Sequence, residues 1–171
     1  MKKAPKKTPK FKLMLLALAA VAVFGGSILF VGAASGWFSG QKTPVKVVLD
    51  PEYIGKFETK PLDKTTYESL VEAKKSFIII SYLPGCTAKI LSFTSKFASE
   101  NNITIYYMDF GTIKTTPLHD QVKYSPSVII VSKGEIADFL RSDKDEDTPK
   151  YNNYDDFSAW LQGKIDFSAQ K

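Results

Sequence analysis

The chain has 171 residues, 44% of them hydrophobic and 24% charged, with a formal net charge of +5. That length suits one domain of ordinary size plus a tail or an anchor. One cysteine and one histidine exclude an internal disulfide and argue against a metal site, which needs a cluster of ligands. No internal repeat and no glycine-rich phosphate loop is present.

Residues 1–12, MKKAPKKTPKFK, hold six lysines, two prolines and no acid, the composition of a solvated, disordered basic arm. Leu13 to Gly36 follows as 24 residues without a charge. At about 1.5 Å per residue, a helix of that length covers the roughly 30 Å hydrocarbon core of a bilayer. A secretory signal has an apolar region of only about 7–15 residues. An uncleaved transmembrane signal anchor is therefore expected over 13–36, although Val31 and Ala33 would fit a cleavage site. The lysines stay in the cytoplasm by the positive-inside rule, and Trp37 and Phe38 suit the outer interface. The remainder is then an extracytoplasmic domain on a single-pass membrane helix. Six of the 23 basic residues lie in the arm, leaving 17 against 18 acidic ones. The positive charge belongs to the arm, so it is no sign of nucleic-acid binding.

Residues 37–44 read as a linker, and the outer domain runs over 45–171. Val45 to Leu49 is expected to form a first strand. Asp50 to Thr65, with Pro51, Gly55 and Pro61, reads as irregular. Thr65 or Thr66 can cap a helix to about Lys75, with Tyr67, Leu70 and Val71 on its apolar side. Phe77 to Ile80 is a β-branched apolar run, the pattern of a strand covered on both faces. Pro84 and Gly85 break it. After Cys86, the apolar Ile90, Phe93 and Phe97 mark one face of a helix over 87–100. The only thiol thus stands between a strand and a helix N-terminus, where the macrodipole favours an anion and a thiol ionises more readily. A lone cysteine is also often a small, inert buried residue.

Asn101-Asn102 ends that helix, and residues 103–108 form the next strand, with Asp109 and Gly111 at its exit. Pro117 to Lys123 is a short helix or turn carrying His119, a surface or helix-cap histidine. Tyr124-Ser125-Pro126-Ser127 leads into the strand 128–131. Lys133-Gly134 turns a hairpin into an antiparallel strand 135–140. Asp143 to Pro149 is an acidic loop, and a last amphipathic helix covers 154–161 through Phe157, Trp160 and Leu161.

This order, β-α-β-α-β-α-β-β-α, resembles the thioredoxin-like superfamily from about Val45 to Gly163. Y-L-P-G-C-T-A-K stands at the strand-to-helix turn where that family has Cys-x-x-Cys. Strand 103–108 closes on Asp109. Ser125-Pro126 precedes a strand where the family has a cis-proline facing the thiols. VSKGEIADF is similar to its last hairpin. Within the superfamily the chain resembles membrane-anchored extracytoplasmic thioredoxin-like proteins of the bacteriocin-transport accessory type. The resemblance implies an α/β fold: a mixed four- to five-stranded sheet flanked by helices, here preceded by an N-terminal transmembrane helix. It also implies a cis Ser125-Pro126 bond, partners that are protein or peptide thiols and disulfides, and no cofactor.

The Cys-x-x-Cys is degenerate. With Cys86 as the first cysteine, Lys89 stands at the second; with Cys86 as the second, Leu83 replaces the first. The former is preferred because a Pro-x or Pro-Gly pair often precedes the family's nucleophilic cysteine. The family's buried carboxylate is also missing, as is the glycine it often has after the last strand, where Arg141-Ser142 stands. Dithiol exchange needs a second thiol to resolve the mixed disulfide, so only one-thiol chemistry remains for this chain. The resemblance then implies Cys86 and Lys89 as the reactive pair, with Pro84, Gly85, Ser125 and Pro126 lining the substrate groove. The lone thiol also permits a homodimer through Cys86. Two functions compete: monothiol exchange or mixed-disulfide trapping, and a redox-inactive thioredoxin-fold module that holds a peptide or protein.

Overall fold

The computed structural model describes residues 46–85 and 87–168, all within one unit, Pro44–Lys171. Strands β1 (Glu58–Pro61), β2 (Phe77–Tyr82), β3 (Thr104–Asp109), β4 (Ser127–Ser132) and β5 (Glu135–Arg141) form one sheet in the order β1-β3-β2-β4-β5. β1 and β2 run parallel to β3, whereas β4 is antiparallel to both β2 and β5. This is the mixed sheet the sequence led us to expect. The helices are α1 (Lys64–Glu72), α2 (Ala88–Glu100), α3 (Phe110–Ile113), α4 (Thr148–Asn152) and α5 (Tyr154–Lys164).

β2 is central because its side chains satisfy both faces. Phe77 and Ile79 enter a cluster with Tyr67, Met108, Ile113 and Leu118. Ile78 and Ile80 enter the opposite cluster with Ile90, Phe97, Phe157 and Leu161. All four β2 residues are fully buried, as a period of two between covered faces requires. α2 and α5 close one face through Phe97 and Phe157, whose rings meet edge to face at 6.1 Å.

The first strand is not where the sequence put it. Val47 forms only an isolated parallel bridge with Ile165, while Leu49 is buried in the core. Its apolar signal reflects burial, not sheet pairing. The actual β1, ETKP, falls in the stretch expected to be irregular. It is an edge strand with only β3 beside it, so it needs no apolar alternation and tolerates Pro61.

Helix α1 begins earlier than expected. Asp63, not Thr65 or Thr66, is the cap, accepting from the Thr66 amide at 2.7 Å. The helix stops at Glu72 because Lys74 takes a left-handed φ of 54° and the Lys75 amide donates back to the Leu70 carbonyl at 2.9 Å. The acidic loop is likewise more ordered than expected. Asp145–Asp147 is a 3-10 turn leading into α4, and Asp147 ties it back by accepting from the Arg141 amide at 2.9 Å.

Among the described residues no helix is long and apolar enough to cross a membrane. The expected span 13–36, the arm 1–12 and the linker 37–44 lie outside the described residues.

Candidate functional site

Two loops meet at the carboxyl end of β2. The first is the turn between β2 and α2. Pro84 and Gly85 are exposed there, and Gly85 holds a φ of +84° that only glycine adopts without strain. Thr87, buried at the helix start, donates its hydroxyl to the Leu83 carbonyl at 3.0 Å and closes the turn. Cys86 lies outside the described residues; in sequence it stands between Gly85 and the N-cap residue Thr87.

The second loop carries Ser125-Pro126, whose peptide bond is cis, as the resemblance implied. Three donor groups fix it. The Ser127 amide donates to the Ser81 hydroxyl at 2.9 Å, and the Ser127 hydroxyl donates to the Tyr124 carbonyl at 2.8 Å. The Tyr151 hydroxyl donates to the carbonyls of Pro126 and Leu140 at 3.0 and 2.8 Å. Ser125 is half-buried, and its hydroxyl has no hydrogen-bond partner among the described residues.

The two loops line one groove of about 260 Å³, bounded by Thr87, Lys89, Ile90, Pro126, Ser142, Thr148 and Tyr151. Lys89 and Pro126, both implied by the resemblance, thus come together. The Lys89 ammonium is 3.4 Å from the Asn152 side-chain oxygen and 5.9 Å from the Phe93 ring centroid. Pro84, Gly85 and Ser125 flank the groove in sequence without lining it.

Sequence reasoning missed Tyr151, Ser81 and Ser142. Tyr151 falls between the expected acidic loop 143–149 and the expected helix 154–161, and nothing local marks a tyrosine that reaches across to a proline 25 positions away. Ser81 is fully buried at the end of β2, and nothing in its local sequence marks it as a partner of the proline loop. His119 plays no part here: its Nδ1 lies 3.2 Å from the Val122 carbonyl and its ring packs on Phe110. Among the described residues no group of three or more His, Cys, Asp or Glu could hold a metal ion.

No family model and no curated protein matches the chain. Solved structures do. A point mutant of thioredoxin from Halobacterium salinarum matches at a TM-score of 0.50 and 10% identity, over 66% of this chain and 95% of that one. The long form of spinach chloroplast thioredoxin f gives 0.48 and 16%, over 70% of this chain and 97% of that one. Identity that low speaks to architecture alone. Together with the sheet order and the cis-proline loop, the first of these similarities establishes that the domain has the thioredoxin fold.

Proposed function

We propose that the chain is a membrane-anchored, extracytoplasmic thioredoxin-like protein acting through one thiol, Cys86. The observation that carries this reading is the shared groove. Lys89, three positions after the only cysteine, and the cis-linked Pro126 line the same cavity. A partner segment lying in that groove would pass beside the turn that contains Cys86.

The chemistry is thiol–disulfide exchange stopped after one step. The Cys86 thiolate attacks one sulfur of a partner's disulfide. A new S–S bond forms to Cys86, the partner's S–S bond breaks, and its second sulfur leaves as a thiolate that takes a proton from water. No net electrons enter or leave. Reversal or completion then needs an external thiol, because this chain has no second cysteine. The 13-residue helix α2 begins two positions after Cys86 in sequence, and the positive end of its dipole favours an anion there. Lys89 bonds to Asn152, so its ammonium acts from its place in the groove wall.

That engagement of Lys89 favours the second reading, a redox-inactive module in which the groove holds a peptide without covalent chemistry. The rate of Cys86 alkylation against pH separates the two. Monothiol exchange predicts an inflection below the free-thiol value of about 8.5. An inflection at or above it, or no reaction, assigns the protein to the binding module.

A further inference from the structure

A second groove, of about 480 Å³, lies away from the thiol turn, between α1, the 3-10 turn Pro117–Asp120 and the β4–β5 hairpin. Its apolar surface comes from Val71, Pro117, Leu118 and Ile136, and its charged lining residues are Glu68, Glu72 and Glu135. Among the described residues no lysine or arginine lines it. Glu68 meets Lys64 at 3.8 Å across an exposed helical turn, a weak pairing. Glu72 and Glu135 form no ion pair among the described residues.

Tyr67 is the independent pointer to a ligand. It is 5% exposed and lines this groove, and its hydroxyl makes no hydrogen bond among the described residues although it is not sealed from solvent, so its partner has to come from the groove. Burial, with Glu68 nearby, raises its pKa, so it stays a proton-bearing group. The walls are preformed. The Gly134 amide donates to the Lys75 carbonyl at 2.9 Å and the Lys133 amide to the Ser76 hydroxyl at 3.0 Å, docking the hairpin on the segment between α1 and β2. The carbonyl end of α1 adds negative potential to that of the three carboxylates.

We infer that this groove binds a lysine- or arginine-bearing segment of a partner protein, its cationic head among Glu68, Glu72 and Glu135 and its apolar stem against Val71, Leu118 and Ile136. Charge selects the head, and a long methylene stem matches the floor. The Tyr67 hydroxyl meets the segment's polar backbone. The site is separate from the Cys86 groove, so it stands whether or not the thiol is reactive.

The test follows the methyl NMR signals of the full chain in neutral detergent, titrated with the capped pentapeptide Ala-Lys-Val-Arg-Ala. The expected result is saturable shifts at Val71, Leu118 and Ile136, and at least tenfold weaker binding in the triple variant Glu68→Gln, Glu72→Gln, Glu135→Gln. A control variant, Asp145→Asn, Asp155→Asn, Asp156→Asn, removes as many exposed charges elsewhere and should bind as the wild type does. Absence of shifts at those methyls, equal weakening in the control, or equal binding of a peptide with glutamine in place of lysine and arginine would each overturn the proposal.

Discussion

The Tyr151 hydroxyl lies 3.0 Å from the carbonyl oxygen of Pro126 and 2.8 Å from that of Leu140. One phenolic proton thereby pins α4 to the cis-proline loop and to the end of β5. Burial pushes the Tyr151 pKa far above that of an ordinary phenol, with the charges of Asp147 and Asp143 adding to it, so the donor keeps its proton.

Replacing that donor should loosen the groove wall. Tyr151→Phe keeps the ring and removes the proton, leaving two carbonyls without it. The expected loss of stability is ~1–3 kcal/mol, since a buried acceptor left unpaired bears its desolvation cost. Urea unfolding should show a lower midpoint at unchanged slope. A midpoint equal to the wild type would mean that the clamp contributes nothing.

Two glycines in left-handed turns separate strain from crowding. Gly85 and Gly134 have φ values of +84° and +82°, but an added Cβ meets nothing within 4 Å at Gly85 and comes to 2.6 Å from the Val71 carbonyl oxygen at Gly134. Gly85→Ala should cost only the backbone term of about 1–2 kcal/mol. Gly134→Ala adds a clash with main chain and should cost clearly more. Thermal unfolding of the two variants side by side decides it, and equal losses would contradict the geometry.

The Asp63 cap predicts an acid-sensitive step. The Thr66 amide holds the Asp63 carboxyl below its ordinary value. A carboxyl depressed by folding contributes stability above its unfolded pKa, about 3.9, and loses it as pH falls through the folded value. The gap in melting temperature between wild type and Asp63→Ala should be constant from pH 7 to about 5 and shrink below pH 4. A gap that stays constant down to pH 2 would show that the cap works without its charge.

Topology is a separate expectation, resting on six lysines ahead of 24 uncharged residues. Protease added to intact spheroplasts should digest residues 37–171 and spare the anchor. Full protection of the domain would place it on the cytoplasmic side.

The parts of the fold legible in the sequence are those that bury apolar runs. Phe77–Ile80 and Val128–Val131 announce β2 and β4, two of the three interior strands, because both faces are covered. The edge strand ETKP was not legible, since one neighbour and partial exposure leave it no hydrophobic signature. Helix α4 was hidden by Pro149, read as a loop residue although it sits in the helix's first turn, where a missing amide proton costs nothing. At the site, the cis bond at Pro126 followed from the resemblance, and the pairing of Lys89 with Pro126 emerges only from the fold. Tyr151 and Ser81 act through contacts 25 and 46 positions away. No local pattern encodes such contacts.

The central claim is that Cys86 forms a covalent complex that this chain cannot resolve alone. The direct measurement is a non-reducing gel of the protein mixed with a disulfide-bonded substrate protein, beside Cys86→Ser. The account predicts a Cys86-dependent adduct that persists until dithiothreitol dissolves it, without multiple turnovers. Multiple turnovers would refute the missing-thiol argument, and no adduct at all would contradict the monothiol function itself.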